Sequence, residues 1–453
     1  MFFYAIGGMG VNMLNLMVGS YLCSAIIASG FEDQLARQNH TFLGIDLVIA
    51  GIWAVFGVVA KIVDGIIDVP MASFTDNLKT KFGRRRPALI IGLIPMILSY
   101  VLFTIVTPNP TGETLLNTLF YGIVLCIFYS FYTLTMVTYY ATFTEIVETE
   151  KERRFMSNVK SVCDIVYFIL GYVLVVQLLK GMNIRLVAMI VLPLVATMLI
   201  PLFLIKEKST LDADRTADEP TKTVNLFKSI AYTFKNKKYV LWMIVYAFMT
   251  FGVQLFLSGI NEYFSAAGME MMYVMIGAFA PVPFTLILYN KLTKKKGFGF
   301  SFRYVLLIFA FGMAAMFGVA FLEKGTLKTV LAIATGVVSS FGIGAMFSVA
   351  YSVPSQLAAE EEKKTGVSNA AMYFAVQGLF AGIASGIGGS AVLTLLKKTD
   401  RIAVPWTLPS FMQEMKDPKN TFLITVIAAV AMIIAFALTF ILPKDIQDMG
   451  KED

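Results

Sequence analysis

One histidine and three cysteines in 453 residues, with only 15% of the chain charged, remove several kinds of chemistry at once. His40 cannot by itself build a His-rich metal centre, a Ser-His-Asp triad or a Cys-His pair, so a membrane-embedded enzyme of those types is disfavoured. It follows Asn39 in an Asn39-His40-Thr41 sequon, which matters only if the host glycosylates. Cys23, Cys126 and Cys163 fall inside apolar runs with no metal-ligand spacing, and read as small packing residues. No prosthetic group is expected.

What the chain has in excess is apolar surface: 57% hydrophobic residues and a mean hydropathy of +0.73. A soluble core cannot hold that much. A bilayer needs about 20 apolar residues per helix, and the sequence offers about twelve such runs: 2–27, 46–75, 87–106, 114–144, 157–180, 184–205, 239–264, 268–292, 302–321, 327–357, 367–396 and 420–442. They are long and continuous, with internal Gly and Pro, unlike the alternating strands of a membrane barrel. The class is all-α and polytopic. The first run has no basic segment before it and is too long for a signal core, so it reads as a span.

Lys and Arg concentrate after the even-numbered runs, in "KTKFGRRRP", "ETEKERR", the 206–238 stretch, "KLTKKKGF" and "EEEKK". The positive-inside rule then places both termini in the cytoplasm, in a plasma-membrane protein. The 397–419 loop dissents with Lys397, Lys398, Arg401, Lys416 and Lys419. The net charge of +7 follows from this topology and is no argument for nucleic acid.

The loops also repeat. Lys295 follows Arg84 by 211 residues and Glu361 follows Glu148 by 213, each near half the chain length. Two parallel six-helix bundles, 1–205 and 239–453, joined by a cytoplasmic linker 206–238, are the expected organisation. That is the plan of major facilitator transporters. "NLFKSIAYTFKNKK" within the linker suggests an amphipathic surface helix.

Asp64 and Asp68 stand four apart in the second run and share a helix face. Ionised and unpaired, each would cost a few kcal/mol there. A bound Na⁺, a proton on one acid, or Lys61 at i−3 could compensate them. Both an ion site and a structural Lys61–Asp64 pair therefore stand. Beyond them, Asp76 and the cluster Arg84, Arg85 and Arg86 occupy a short turn, where arginines can reach helix carbonyl ends or the acids Glu145, Glu148 and Glu152. Such pairs would act as a gate, alongside plain positive-inside anchoring.

The pattern Lys61-x-x-Asp64-x-x-x-Asp68-x-Pro70, followed by Gly83-Arg84-Arg85-Arg86-Pro87, resembles the glycoside–pentoside–hexuronide:cation symporters. "YYATFTEIVETEKERRFM" and "AAMYFAVQG" extend the likeness over most of the chain. The resemblance implies a twelve-helix major facilitator fold carrying sugar with Na⁺, Li⁺ or H⁺. It assigns Asp64 and Asp68 to the cation, as Na⁺ ligands if sodium is the ion, and adds the hydroxyl of Thr133. Ile67 stands where a family member has Asn, which leaves fewer oxygens for Na⁺ and moves the expectation toward H⁺.

The family's charged sugar clamp is largely missing: Val11, Asn12, Met136, Tyr140, Lys160 and Gly382 stand at its positions. What remains could hold a polyol through aromatic faces and hydrogen bonds from Asn12, Tyr139, Tyr140, Gln254, Tyr373 and Gln377. Lys160 and Asp164, four apart, either neutralise each other or bind and orient substrate. The expected function is secondary active symport of a sugar or glycoside by a monomeric carrier in the bilayer, with a coupling ion as its only cofactor. The alternative is a cation-coupled carrier of a lysolipid or similar amphiphile.

Overall fold

The computed structural model describes residues 4, 6–31, 33–76, 78–146, 163, 166–205, 236–365, 370–398 and 420–451. The spans are helical throughout the described residues, because in lipid a backbone must satisfy its own hydrogen bonds. Ten helices among the described residues are long and apolar enough to cross a membrane: Ala50–Ile67, Arg85–Ile105, Leu115–Tyr140, Ile184–Leu204, Lys237–Ser258, Met271–Lys296, Phe298–Ala320, Thr326–Ile343, Val376–Lys398 and Asn420–Thr439. The helical run 8–25 and the shorter Val166–Leu179 stand at the first and fifth expected spans. Among the described residues the molecule is all-α, and its apolar helices are those of a polytopic membrane protein. Ile94, Phe203, Phe284 and Phe311 are 55–74% exposed, a surface that lipid tolerates and water does not. Pro70, Pro95 and Pro354 sit inside helices.

The chain divides into two compact units. The first is Met1–Ile26, Gln38–Ile49 and Val59–Lys228; the second is Ile27–Arg37, Ala50–Val58 and Ser229–Asp453. The linker expected at 206–238, with its surface helix, lies outside the described residues except for its last three positions.

In the first unit, the opening span crosses the sixth at close range. A Cβ on Gly10 would lie 1.8 Å from the carbonyl oxygen of Leu194, so only glycine fits there. The Gly10 amide donates to Thr197 Oγ1 at 3.1 Å. Two π turns, Val18–Leu22 and Leu170–Leu174, are tied together. The Tyr21 hydroxyl donates to the Gly171 carbonyl at 2.7 Å, and Ser20 Oγ meets the Tyr172 hydroxyl at 2.9 Å. A π turn inserts a residue into the helical ladder, and here both insertions present hydroxyls to each other. Tyr100 adds a bond from the third span to the sixth, at 3.0 Å from the Ala188 carbonyl.

In the second unit, Lys328 is buried and its three N–H groups go to the carbonyls of Ala267, Ala320 and Leu322 at 2.5, 3.0 and 2.8 Å. One ammonium thus terminates two helices. Trp242 Nε1 donates to Gln377 Oε1 at 2.9 Å, joining the seventh and eleventh spans.

One expectation changes here. Lys397 and Lys398 are not loop residues, since the eleventh span continues through Lys398. Lys397 is buried against Glu262, so its charge is paired inside the protein. Gln34–His40, which carries the histidine and the sequon's asparagine, forms a short helix. Asn39 is buried there and donates to the Lys180 carbonyl at 3.4 Å.

Candidate functional site

The second span carries Lys61, Asp64 and Asp68 at i, i+3 and i+7, one stripe of a long helix. The fourth span answers with Tyr129, Tyr132 and Thr133, again at i, i+3 and i+4. Thr133 is buried and its hydroxyl donates to Asp64 Oδ1 at 2.8 Å. On the other carboxylate oxygen, Lys61 Nζ stands 3.6 Å from Asp64 Oδ2, with the side chains 19% and 26% exposed. The same Nζ lies 3.8 Å from the centre of the Tyr129 ring. Lys61 is therefore shared between a carboxylate and an aromatic face, both of which favour an ammonium.

The first span joins through Tyr132, whose hydroxyl donates to Asn12 Oδ1 at 3.1 Å. Its ring stacks on Phe128 at 6.2 Å. One turn after Asn12, Asn15 keeps a buried side-chain oxygen with no hydrogen-bond partner among the described residues. Three spans of the first unit thus converge on one polar patch. The donor atoms in it are carboxylate, hydroxyl and amide oxygens, which suit a hard cation or a hydroxylated solute. Among the described residues no group of three His, Cys, Asp or Glu gathers as a metal centre would require. The side chain of Asp68 lies outside the described residues.

The other expected site residues divide. Tyr139 is fully buried and stacks on Tyr4 at 5.0 Å, each hydroxyl donating to the other's carbonyl, at 2.8 and 3.0 Å. Tyr373 accepts from Asn236 Nδ2 at 2.9 Å and packs edge-on against Tyr239. Gln377 holds Trp242. Tyr139, Tyr373 and Gln377 are each hydrogen-bonded within the protein, as a phenol or amide in lipid must find its partners internally. Tyr140 is 39% exposed. Gln254 donates to Ser258 Oγ at 2.9 Å, one turn along its own helix. Lys160, Asp164 and Glu148 lie outside the described residues, as do the side chains of Asp76 and Glu145.

Of the arginine cluster, Arg85 is buried and Arg86 donates to the Phe203 carbonyl at 3.2 Å, in the last turn of the sixth span. A cation on exposed carbonyls at a helix end is the favourable arrangement. Arg84 precedes the first residue of the third span. Gly83 has φ +84°, the left-handed region, which explains the glycine of the motif.

Tyr129 and Tyr132 were not singled out from sequence. Their signal is present: 129, 132 and 133 keep a helical spacing of polar groups on a span opposite Lys61 and Asp64. In a chain with 19 tyrosines that spacing alone does not select them.

Comparison with known proteins accords with this architecture. The family described as MFS/sugar transport protein matches residues 3–446. The chain belongs to that family. No curated protein matches the transporter's sequence. Among solved structures, it is similar to a point mutant of the nucleoside transporter NupG, with TM-score 0.63, 13% identity, and 97% of this chain and 98% of that one covered. A POT family transporter in complex with a thioalcohol-conjugated peptide gives TM-score 0.61 at 12% identity over 98% and 95% of the chains. A bacterial homolog of the human lysosomal transporter Spinster gives 0.58 at 12% identity over 100% and 98%. At such identities the likeness is one of fold. The protein is a multi-pass transporter of a small molecule, not an enzyme.

Proposed function

We propose that this transporter is a cation-coupled symporter of a sugar or glycoside, working by alternating access. The observation that carries the reading is the engagement of Asp64. An acid inside a span is held by one ammonium and one hydroxyl, and intramembrane acids mark ion or proton pathways. Asp64, Asp68 and Thr133 would take the cation, Na⁺ or H⁺. Asn12, with Tyr132 on its amide oxygen and Asn15 one turn on, would offer hydrogen bonds to a polyol a short distance away. Because Tyr132 and Thr133 are adjacent, occupancy at either site moves the same turn of helix. Coupling then follows by reciprocity: the ion tightens the site for solute and the solute tightens it for the ion.

The same reading puts both termini in the cytoplasm of a plasma-membrane carrier that acts as a monomer, with 1–205 and 239–453 as its functional halves and 206–238 between them. Arg84, Arg85 and Arg86 would gate through helix ends and the acids Asp76, Glu145 and Glu148. Lys160 and Asp164 remain candidates for the solute. A lysolipid or other amphiphile is the second reading, favoured by Val11 and Met136, both buried and apolar where the resembling family carries its clamp.

The test is thermal stabilisation of the purified carrier by mono-, di- and glycosidic sugars and by lysolipids, each with and without Na⁺ and at two pH values. A sugar that stabilises only with Na⁺, or only at the lower pH, supports symport and names the ion. Stabilisation by a lysolipid alone replaces the sugar reading with the second one.

A further inference from the structure

Asp64 has two oxygens, and both are engaged. Thr133 takes Oδ1 with a hydrogen bond of normal length, but Lys61 approaches Oδ2 only to 3.6 Å, beyond hydrogen-bonding distance. An ammonium seated for stability alone would close on the carboxylate. This one is drawn aside to the Tyr129 ring, 3.8 Å from its centre. The aromatic face offers an ammonium attraction without a formal negative charge, so the lysine can lean either way at little cost.

A transported cation reaching Asp64 must meet that ammonium. Two like charges on one carboxylate repel, so the ion binds only as far as Lys61 retreats toward Tyr129. We infer that Lys61 is an ion-specificity residue: its tethered ammonium competes with the transported monovalent cation for Asp64, and the Tyr129 ring holds the ammonium aside when the cation binds. The inference rests on the cation-coupling reading above and deepens it. It also keeps Asp64 compensated in the membrane when no ion is bound.

The experiment reads the half-saturating Na⁺ concentration for thermal stabilisation of the purified carrier at fixed pH, with Li⁺ as a second probe ion. Lys61→Met is expected to lower it at least tenfold relative to wild type, and Lys61→Arg much less. Tyr129→Leu, which removes the aromatic face and leaves the ammonium on Asp64, is expected to raise it several-fold, while Tyr129→Phe keeps the wild-type value. In Lys61→Met/Tyr129→Leu the second change should have no further effect. A purely structural pair would lower stability without Na⁺ and leave the half-saturation point unmoved.

If wild type responds to Na⁺ or Li⁺ and Lys61→Met does not shift the response, the competition is overturned and cation coupling stands. A response that only Lys61→Met shows supports the competition directly. When neither protein responds to either ion, the competition falls together with alkali-ion coupling. Should Lys61→Met fail to fold, Tyr129→Leu decides: a raised half-saturation point supports the inference and an unchanged one overturns it.

Discussion

Lys397 Nζ donates to Glu262 Oε1 at 2.8 Å, with side chains 1% and 0% exposed, and the same ammonium lies 5.3 Å from the centre of the Phe31 ring. The pair joins the helix after the seventh span to the end of the eleventh. Breaking a buried pair leaves one charge behind at about 3–5 kcal/mol, whereas replacing both partners with apolar groups is often neutral. Lys397→Met alone should therefore lower the melting temperature sharply, and Lys397→Met/Glu262→Met should recover most of the loss. Thermal unfolding of the three purified proteins checks this.

Neutralising the acids of the second span separates transport from folding. Asp68→Asn and Asp64→Asn are each expected to abolish concentrative uptake while the carrier still reaches the membrane, because the amide keeps the volume and discards the charge. Uptake into proteoliposomes under an imposed ion gradient is the measurement. Unchanged accumulation by either variant would remove that residue from the ion site.

Thr133 contributes one hydroxyl to Asp64. Where that hydroxyl's oxygen turns to serve as a ligand of the bound cation, Thr133→Val should weaken Na⁺ binding several-fold. Thr133→Ser, which keeps the oxygen, should stay near wild type. Cation-dependent thermal stabilisation of the two variants distinguishes the hydroxyl from the methyl.

Gly10 is the closest approach of the first span to the sixth. Gly10→Val would force a side chain onto the Leu194 carbonyl, 1.8 Å from where its Cβ would stand, and overpacking of this kind costs about 1–3 kcal/mol or more. Gly51→Ala meets nothing within 4 Å and serves as the neutral control. Size-exclusion profiles and melting temperatures of the two should diverge.

Much of the architecture could be read from the chain because lipid imposes a single rule. A span must be long, apolar and helical, so Arg85–Ile105 and Asn420–Thr439 fall within a few residues of their expected limits. Asp64 was legible for the same reason: a carboxylate in such a run is conspicuous. Tyr139, Tyr373 and Gln377 were equally conspicuous as polar groups, and only the structure shows their partners. A one-dimensional pattern shows that a polar group sits at membrane depth without showing which neighbour satisfies it.

Composition and periodicity by themselves determined a helical membrane protein with an acidic stripe on its second span, because hydrophobic length and helical spacing are local properties. Tertiary structure alone decided that Lys61 divides itself between Asp64 and Tyr129, that Thr133 closes the other side of the carboxylate, and that Lys397 is buried against Glu262. Lys61–Tyr129, Asp64–Thr133 and Glu262–Lys397 join residues 68, 69 and 135 positions apart, and the strength of each depends on distance and desolvation, which arise only when the spans pack.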